Sequence, residues 1–529
     1  MQNAGESVST AGSTNTTADK YKGIRSAMQK LDYSVSAMDG PTVKRSTSVT
    51  FEGEGSGKHE TETDSLYEML QQLDLDKKDV LFLGRVAEYQ WFTWLLRKVR
   101  SLEIVKTDGP QGSRERRNSS TSLKGGSSEG GRERQRSGSG SSEVCPISSA
   151  SKRTPDSKDV LVMNCTGNTT TWTQLEELLT SALRTLRPGG FLLARECLAS
   201  PSDADGQRVN YNDPAETYAL IRDLSFVAED TQRYGFKLAY AVSPDPQKTK
   251  KRTEMCWLLE KVPCVASGME FGKFLDEVQY SRKGISKYEA IFGDGFVSTG
   301  GQRTTSEFCQ MLGLQRGQHV LDVGAGIAGS AFHMAKEYGV HVTGVDLSSN
   351  MFSIAVERRG EAALSAGSVD LEIADILTRE YAAESFDLIY SRDVILHIAD
   401  KRRLFQQMFK WLKPGGKLLI TDYCCGDKTH SSDFQTYVQQ RGYILLTVAQ
   451  YGQLLEEVGF VRVKADDRTQ QFISVLHNEL RKFEPLETEF VEQFSREDYE
   501  EIVSGWNAKV GRCHAGDQAW GLFIAEKDA

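Results

Sequence analysis

The sequence predicts an α/β protein with two similar units in tandem, together with a disordered N-terminus and an internal low-complexity loop. Short apolar segments of strand length alternate with segments of helical periodicity, which is the pattern of a sheet covered by helices. The pattern Leu-x-Pro-Gly-Gly followed by an apolar strand occurs twice, at 186–190 and at 412–416. In both places a helix ends, a turn follows and a buried strand begins, so we infer two copies of one fold.

Changes in composition divide the chain. Residues 1–63 are rich in Ser, Thr and Gly and show no sustained periodicity, so we expect them to be mostly disordered. The first unit covers 64–264 and begins with a helical pattern followed by the buried strand DVLFL. A Ser/Gly-rich tract at about 109–159 interrupts this unit. The second unit covers 265–529.

Charge and cysteine usage narrow the class of protein. The net charge of −9 argues against nucleic acid as the main partner, because binding a phosphate backbone needs clustered Lys and Arg. Two basic clusters, at 114–117 and 132–136, are interrupted by Glu115 and Glu133, so we interpret them as solvated loop. The nine cysteines include no CxxC pair, which disfavours a zinc site or a disulfide framework and favours a reducing compartment.

The sequence also predicts a cytoplasmic protein without stable membrane insertion. The N-terminus, MQNAGESVST, lacks the apolar core of a signal peptide. The chain contains no run of about 18 apolar residues, the length that a membrane span requires.

A glycine-rich turn marks a candidate cofactor site in the second unit. The strand HVLDV is followed by Gly324, Gly326 and Gly329 and then by a helical pattern, the order of a Rossmann-like nucleotide site. Glycines leave no Cβ between backbone and ligand, and the helix adds free N–H donors. The first unit has FLGRVAE at the corresponding place. We therefore expect that the first unit kept the fold and lost the cofactor site.

Three carboxylates decide between the possible ligands of this turn, since glycines alone also fit a NAD(P) site or a plain tight turn. Asp322 ends the first strand just before the glycines. Asp346 ends the next strand and can accept both ribose hydroxyls, while Asp375, followed by Ile376, ends the third and can accept the adenine amine. With FDLIYSRD and KLLITD as later strands, the series is typical of a class I methyltransferase that binds S-adenosylmethionine.

Five further segments resemble the phosphoethanolamine N-methyltransferases. They are QYSRKGISKYEAIFGDGFVSTGG at 279–301, YSRDVILHI at 390–398, LLITDYC at 418–424, YVQQRGY at 437–443 and GWNAK at 505–509. The resemblance covers 265–529. The layout of a degenerate first copy and a complete second copy is similar to the second of two nematode types. That resemblance implies methylation of phosphomonomethylethanolamine and phosphodimethylethanolamine to phosphocholine, with the first methylation left to a companion enzyme.

The reaction itself needs a base, because an alkyl amine is mostly protonated near pH 7 and cannot attack the sulfonium methyl group. His397 is the natural candidate, with an ordinary pKa of about 6.5. Asp393 precedes it by four residues, so we expect both on one helical turn facing the site. The resemblance implies that Tyr280 pairs with His397 to close the site over the amine. A structural role for His397 remains the alternative.

The resemblance also implies the remaining site residues. We expect no metal, because no pattern in the sequence is typical of a metal site and methyl transfer to nitrogen requires none. A small dianionic phosphate suits Arg441, Lys509 and phenol donors, although core packing of Tyr437 and Tyr443 stays open. The cofactor set is Val297, Ser298, Gly324, Asp346, Leu347, Asp375, Ile376 and Arg392. The substrate set is Gln279, Tyr280, Tyr288, Asp393, Tyr423, Tyr437, Arg441, Tyr443 and Lys509.

Two other functions stay open at this stage. The enzyme could methylate a different small amine, or the chain could be a non-catalytic protein that binds S-adenosylmethionine as a scaffold. We expect Trp506 and Trp520 to be core residues. We also expect a chain starting near Val265 to retain activity, since the second unit contains every predicted site residue.

Overall fold

The structure is a computed structural model. It describes residues 64–83, 95, 98–105, 155–165, 172–198, 213–228, 231–246, 253–264, 271–360, 362, 364 and 367–529. The predicted disorder of 1–63, most of the tract at about 109–159 and the turn after Leu83 lie outside the described residues. So do both basic clusters.

The first unit supplies three described helices and seven strands. They are α1 (Ser65–Gln72), β1 (Asp79–Leu83), β2 (Ser101–Val105), β3 (Lys158–Cys165), α2 (Trp172–Thr185), β4 (Leu186–Cys197), α3 (Pro214–Asp223), β5 (Ser225–Val227), β6 (Arg233–Ser243) and β7 (Glu254–Pro263).

The second unit supplies the remaining elements. Its first part contains α4 (Phe271–Phe274), a π-helical turn (Leu275–Gln279), α5 (Arg282–Phe292), α6 (Gly301–Leu312), β8 (His319–Val323), α7 (Gly329–Tyr338), β9 (His341–Asp346), α8 (Ser349–Arg359), β10 (Ser368–Ile373), β11 (Phe386–Arg392) and a 3₁₀ turn (Ile395–His397). Its second part contains α9 (Lys401–Trp411), β12 (Leu412–Cys425), α10 (Ser432–Arg441), α11 (Val448–Val458), β13 (Val461–Asp467), α12 (Thr469–Phe483), a 3₁₀ turn (Glu484–Leu486), α13 (Glu487–Gln493), α14 (Arg496–His514) and β14 (Gln518–Glu526).

The strand order repeats between the two units. The sheet runs β13-β14-β12-β11-β8-β9-β10-β6-β7-β4-β3-β1-β2, with β5 paired to β6. In both units the inner strands are parallel, and two antiparallel strands follow on one side. The second unit has β10 as an additional strand, which pairs antiparallel with β6. The predicted α/β fold with two similar copies is therefore seen in the topology.

The Pro-Gly-Gly turns also match in detail. Gly189 and Gly415 adopt φ angles of 74° and 75°. A Cβ on Gly190 or on Gly416 would lie 2.8 Å from a backbone oxygen, so the following strand can start only with glycine there. This steric requirement explains why the motif stands out in the sequence at both places.

Apolar side chains cover both faces of the sheet, as expected for strands buried between helix layers. Val80, Leu81 and Phe82 of β1 are fully buried, and so are Val320 and Leu321 of β8. On each face the core cluster extends from one unit into the other. None of the helices in the described ranges is both long and apolar enough to cross a bilayer.

Candidate active site

The glycine-rich turn between β8 and α7 packs too tightly for other residues. Gly324 has a φ of 74°, and a Cβ there would lie 2.3 Å from a methyl carbon of Val394. A Cβ on Gly329 would lie 1.9 Å from the carbonyl oxygen of Gly295. The turn thus lies directly against the two segments that flank it, and it presents bare backbone next to the N-terminus of α7.

A cavity of about 1790 Å³ lies at the carboxyl ends of β8, β9, β10 and β11. Open α/β sheets bind ligands at this edge. Every residue predicted to bind cofactor or substrate lines the cavity: Gln279, Tyr280, Tyr288, Val297, Ser298, Gly324, Asp346, Leu347, Asp375, Ile376, Arg392, Asp393, His397, Tyr423, Tyr437, Arg441, Tyr443 and Lys509.

Two carboxylates beside the glycine turn are strongly desolvated. Desolvation raises the pKa of Asp346 to about 6, against backbone hydrogen bonds that favour its charged form. Its oxygens accept from the N–H groups of Gly326 and Ser348, both at 2.8 Å, which fixes the carboxylate plane. Desolvation and the nearby Asp346 raise the pKa of Asp322 to about 7. Asp322 Oδ2 is buried without a hydrogen-bond partner, so the site holds an acceptor ready for a donor or a cation.

Arg392, predicted to bind cofactor, makes its hydrogen bonds to protein groups. Its guanidinium donates to Thr305 Oγ1 at 3.0 Å, to Thr304 Oγ1 at 2.9 Å and to the carbonyl oxygen of Thr299. These bonds tie the end of β11 to the start of α6. Arg392 therefore supports the wall of the cavity that Ser298 lines.

His397 lies on the short 3₁₀ turn Ile395–His397 after β11. Desolvation, together with the charges of Lys401 and Arg441, lowers its pKa to about 4. The imidazole is therefore neutral at physiological pH and can accept a proton. Its Nδ1 is buried without a hydrogen-bond partner. Its ring lies edge-on to Tyr443, with 5.2 Å between ring centroids.

The expectation that Asp393 and His397 share one helical turn was wrong. Asp393 adopts a left-handed conformation with a φ of 55°, and the 3₁₀ turn begins only at Ile395. Asp393 Oδ1 accepts from Trp520 Nε1 at 2.8 Å and from Thr421 Oγ1 at 3.2 Å. These distant partners hold the carboxylate in place and stabilise the unusual backbone. Both residues still line the cavity.

Tyr280 follows the π-helical turn Leu275–Gln279 and lines the cavity. Gln279 Nε2 donates to its phenol oxygen at 3.2 Å, and Asn350 Nδ2 donates to its carbonyl oxygen at 3.0 Å. Desolvation raises the pKa of Tyr280, so the phenol stays protonated and available as a donor. Single π-turns inside helices often occur at functional sites.

Cations and phenols also line the cavity. Desolvation lowers the pKa of Lys509 to about 8, and its Nζ lies 3.7 Å from the ring centre of Trp506. Arg441 ends α10, and the ring of Tyr443 lies 5.7 Å from that of Tyr437. The cluster is rich in donors, as a phosphate dianion requires.

Sequence reasoning missed several residues of this cavity. Arg512 lies over the ring of Tyr437 at 3.8 Å, and its position three residues after Lys509 on a helix could have indicated it. Phe271, whose ring centre is 6.1 Å from that of His397, had no signal in the sequence. Trp506 is buried as expected but also lines the cavity. Within the described ranges, no group of three or more His, Cys, Asp or Glu residues could hold a metal ion.

Comparison with known proteins identifies the family. Residues 314–459 match the model of a methyltransferase domain. The chain is 45% identical over 359 residues to phosphoethanolamine N-methyltransferase 1 of Triticum aestivum, covering 67% of this chain and 71% of that protein. The chain belongs to the phosphoethanolamine N-methyltransferase family. It is also 40% identical over 266 residues to phosphoethanolamine N-methyltransferase 2 of Caenorhabditis elegans, covering 50% of this chain and 60% of the relative.

A solved structure of a family member has a similar fold. Phosphoethanolamine N-methyltransferase 2 of Haemonchus contortus, in complex with phosphomonomethylethanolamine and S-adenosylhomocysteine, matches with a TM-score of 0.70. The identity is 27%, and the match covers 88% of this chain and 98% of that one. The predictions of a class I methyltransferase fold, of enzymatic methyl transfer and of S-adenosylmethionine as cofactor are confirmed.

Proposed function

We propose that this methyltransferase forms phosphocholine by methylating phosphomonomethylethanolamine and phosphodimethylethanolamine. The observation that supports this most is that one cavity joins the glycine-rich turn to the cluster of Arg441, Lys509 and tyrosines. The Haemonchus contortus relative with bound phosphomonomethylethanolamine has the same fold over nearly its whole length.

The phosphate end of the substrate binds to the cationic cluster in this proposal. Arg441 and Lys509 neutralise the dianion, with Arg512 alongside them, and Tyr423, Tyr437 and Tyr443 donate phenol hydrogen bonds. Desolvation is the main cause of the lowered pKa of Lys509, and the charges of Arg441 and Arg512 lower it further against the opposite effect of Glu479. A bound dianion favours the protonated lysine, because an opposite charge stabilises the ammonium.

His397 then accepts the proton that the substrate ammonium must lose. The nitrogen lone pair attacks the methyl carbon of S-adenosylmethionine, the carbon–sulfur bond breaks, and S-adenosylhomocysteine leaves as a neutral thioether. Because desolvation, Lys401 and Arg441 lower the pKa of His397 to about 4, the imidazole is neutral before the transfer. Arg441 is the smallest of these three causes, so substrate phosphate that offsets its charge makes the imidazole slightly more basic. Tyr280 closes the cavity over the amine and presents a π face to it.

We assign the cofactor to the turn and the carboxylates. Asp346 accepts from the ribose hydroxyls, Asp375 and Ile376 bind the adenine, and Gly324 with Leu347 packs against the nucleoside. Val297 and Ser298 lie beside the methionine portion. The support is that all of these residues line the cavity at the carboxyl ends of the strands.

We further propose that the enzyme is of the second nematode type, with catalysis in 265–529 and a first unit at 64–264 that has lost its cofactor site. The type-2 enzyme of Haemonchus contortus matches with a TM-score of 0.70, whereas the type-1 enzyme of that organism matches with 0.53 and 12% identity, which indicates the common fold alone. We place the reaction in the cytoplasm, where its small polar substrates are dissolved.

The test of the substrate class compares phosphomonomethylethanolamine with N-methylethanolamine, which lacks the phosphate, in the wild type and in Arg441→Gln. We expect efficient turnover of the phosphobase alone, and an Arg441→Gln variant whose phosphobase KM rises roughly a hundredfold, as for loss of a charge-assisted contact, while S-adenosylhomocysteine affinity is kept. Equal turnover of both amines would favour a methyltransferase for another small amine.

A further inference from the structure

Residues of the first unit line the cavity of the second. They are Tyr218 and Arg222 of α3 and Phe236, Lys237 and Leu238 of β6. The antiparallel pairing of β6 with β10 brings them there, with Ser243 opposite Leu371. Arg359 also stabilises this pairing of the two units, because its guanidinium donates to the carbonyl and hydroxyl oxygens of Ser243 at 2.6 and 2.7 Å.

The first contact concerns Asp213, the N-cap residue of α3. One of its oxygens accepts from Ala215 N at 2.9 Å, and the other accepts from Arg282 at 2.6 Å. Arg282 begins α5, two residues after Tyr280, and also binds Glu357 of α8 at 2.9 Å. Arg282 is therefore held from both units at once.

The second contact concerns Arg222, near the end of α3. Its guanidinium lies 3.7 Å from Asp276 and 3.8 Å from Glu277, both in the π-helical turn before Tyr280. Arg222 is only 13% exposed, and Nε and Nη1 are buried without a hydrogen-bond partner. Its charge is thus directed at the segment that precedes Tyr280.

Asp276 connects this segment to the cofactor side of the cavity. Its carboxylate is 7% exposed and accepts from Ser348 Oγ at 2.7 Å and from Ser349 Oγ at 2.6 Å. The N–H of Ser348 in turn binds Asp346. Asp276 is also among the charges that raise the pKa of Asp346. A cation beside Asp276 therefore stabilises a crowded set of carboxylates.

We propose that α3 of the first unit positions the active site of the second, with Asp213 and Arg222 holding the segment 271–282 over the cavity. The first unit then has a role in catalysis although we assign it no cofactor of its own. Asp213 and Arg222 are positioning residues, which act through Arg282 and Asp276 on the placement of Tyr280. The proposal predicts that a chain starting near Val265 would lose part of the activity that we expected it to retain. The inference rests on the methyltransferase activity of the family, whichever phosphobase is accepted.

The test uses full-chain variants. Arg222→Met removes the charge and keeps most of the stem, Arg222→Lys restores a cation, and Asp213→Asn keeps the helix cap. Arg187→Met is the matched control, because Arg187 pairs with Asp79 and Asp159 inside the first unit. We expect Arg222→Met and Asp213→Asn to lower kcat/KM on the order of tenfold to a hundredfold, mainly through the substrate KM. Arg222→Lys should recover most of that loss.

Hydrogen exchange of the complex with S-adenosylhomocysteine supplies a readout that needs no turnover. Amides of 271–282 should exchange faster in Arg222→Met than in the wild type or in Arg187→Met, while those of β8 stay protected. If KM and exchange in this segment match those of the Arg187→Met control, the positioning role is wrong. If the wild type turns over no phosphobase and 271–282 still loses protection in Arg222→Met, only the proposed substrate is wrong.

Discussion

Lys509, His397 and Asp346 all have pKa values displaced from their ordinary ranges because the cavity desolvates them. Each is displaced towards its neutral form. A cavity with such groups favours charged ligands, since a bound sulfonium or phosphate stabilises the ionised form of its neighbour. The electrostatics of single residues thus favour ligands with both a cationic and an anionic end.

His397 is the first residue to test. We expect His397→Ala to lower kcat by about a hundredfold to ten-thousandfold, the usual range for loss of a general base. Binding of S-adenosylhomocysteine, measured by calorimetry, should be unchanged because the glycine turn is intact. Near-normal turnover would remove His397 from the proton transfer.

The lowered pKa of Lys509 predicts that phosphate affinity depends on pH. Phosphocholine is a suitable probe, because its quaternary nitrogen does not titrate. The pKa of Lys509 is lowered to about 8, so the ammonium is present below pH 8 and is lost as the pH rises above it. Phosphocholine affinity should therefore fall above about pH 8. Lys509→Arg keeps its charge throughout this range. An equal alkaline loss of affinity in that variant would exclude Lys509 as the cause.

At the scale of elements, the 3₁₀ turn that presents His397 is held by Lys401 at the start of α9. Lys401 Nζ donates to the carbonyl oxygens of Ile395 and Ile398 at 2.7 and 2.8 Å. Lys401 is 4% exposed and faces the buried Asp422, whose pKa burial raises. One side chain thus satisfies both ends of the turn.

Lys401→Met tests whether Lys401 holds the turn that presents His397. The carbonyl oxygen of Ile398 loses its lysine donor, at a cost on the order of 1–3 kcal/mol if it stays unsatisfied, while that of Ile395 still accepts from the N–H of Ile398 at 2.9 Å. We expect a lower unfolding midpoint together with a lower kcat, because the imidazole loses its fixed place. Lys410→Met is the control, since Lys410 pairs with Glu380 on the surface at 2.8 Å. Equal effects of the two variants would contradict the positioning of the turn by Lys401.

Some of these elements could be predicted from the sequence, and others could not. The turn from Asp322 to Gly329 was predictable because its requirements are local: a strand end, missing Cβ atoms and a helix start. The geometry of Asp393 was not, because Trp520, 127 residues away, helps to fix it. The contacts of Arg222 with the segment before Tyr280 likewise depend on the pairing of two sheet edges.

At the scale of the whole molecule, the pairing of β6 with β10 joins two copies of one fold into a continuous sheet. Each copy alone would expose a strand edge there, which invites aggregation. The junction covers both edges and places α3 beside the cavity. The first unit thus has a structural role at this junction, whether or not it binds a cofactor.

The most direct measurement is methyl transfer from labelled S-adenosylmethionine by the purified full chain, with phosphoethanolamine and its mono- and dimethyl forms assayed in parallel. We predict phosphocholine from the mono- and dimethyl forms, and little or no product from phosphoethanolamine. The three differ by single methyl groups, so pocket volume must supply a discrimination of about 1–3 kcal/mol. Absence of product from all three phosphobases would contradict the proposed function, and efficient methylation of phosphoethanolamine would contradict the second nematode type.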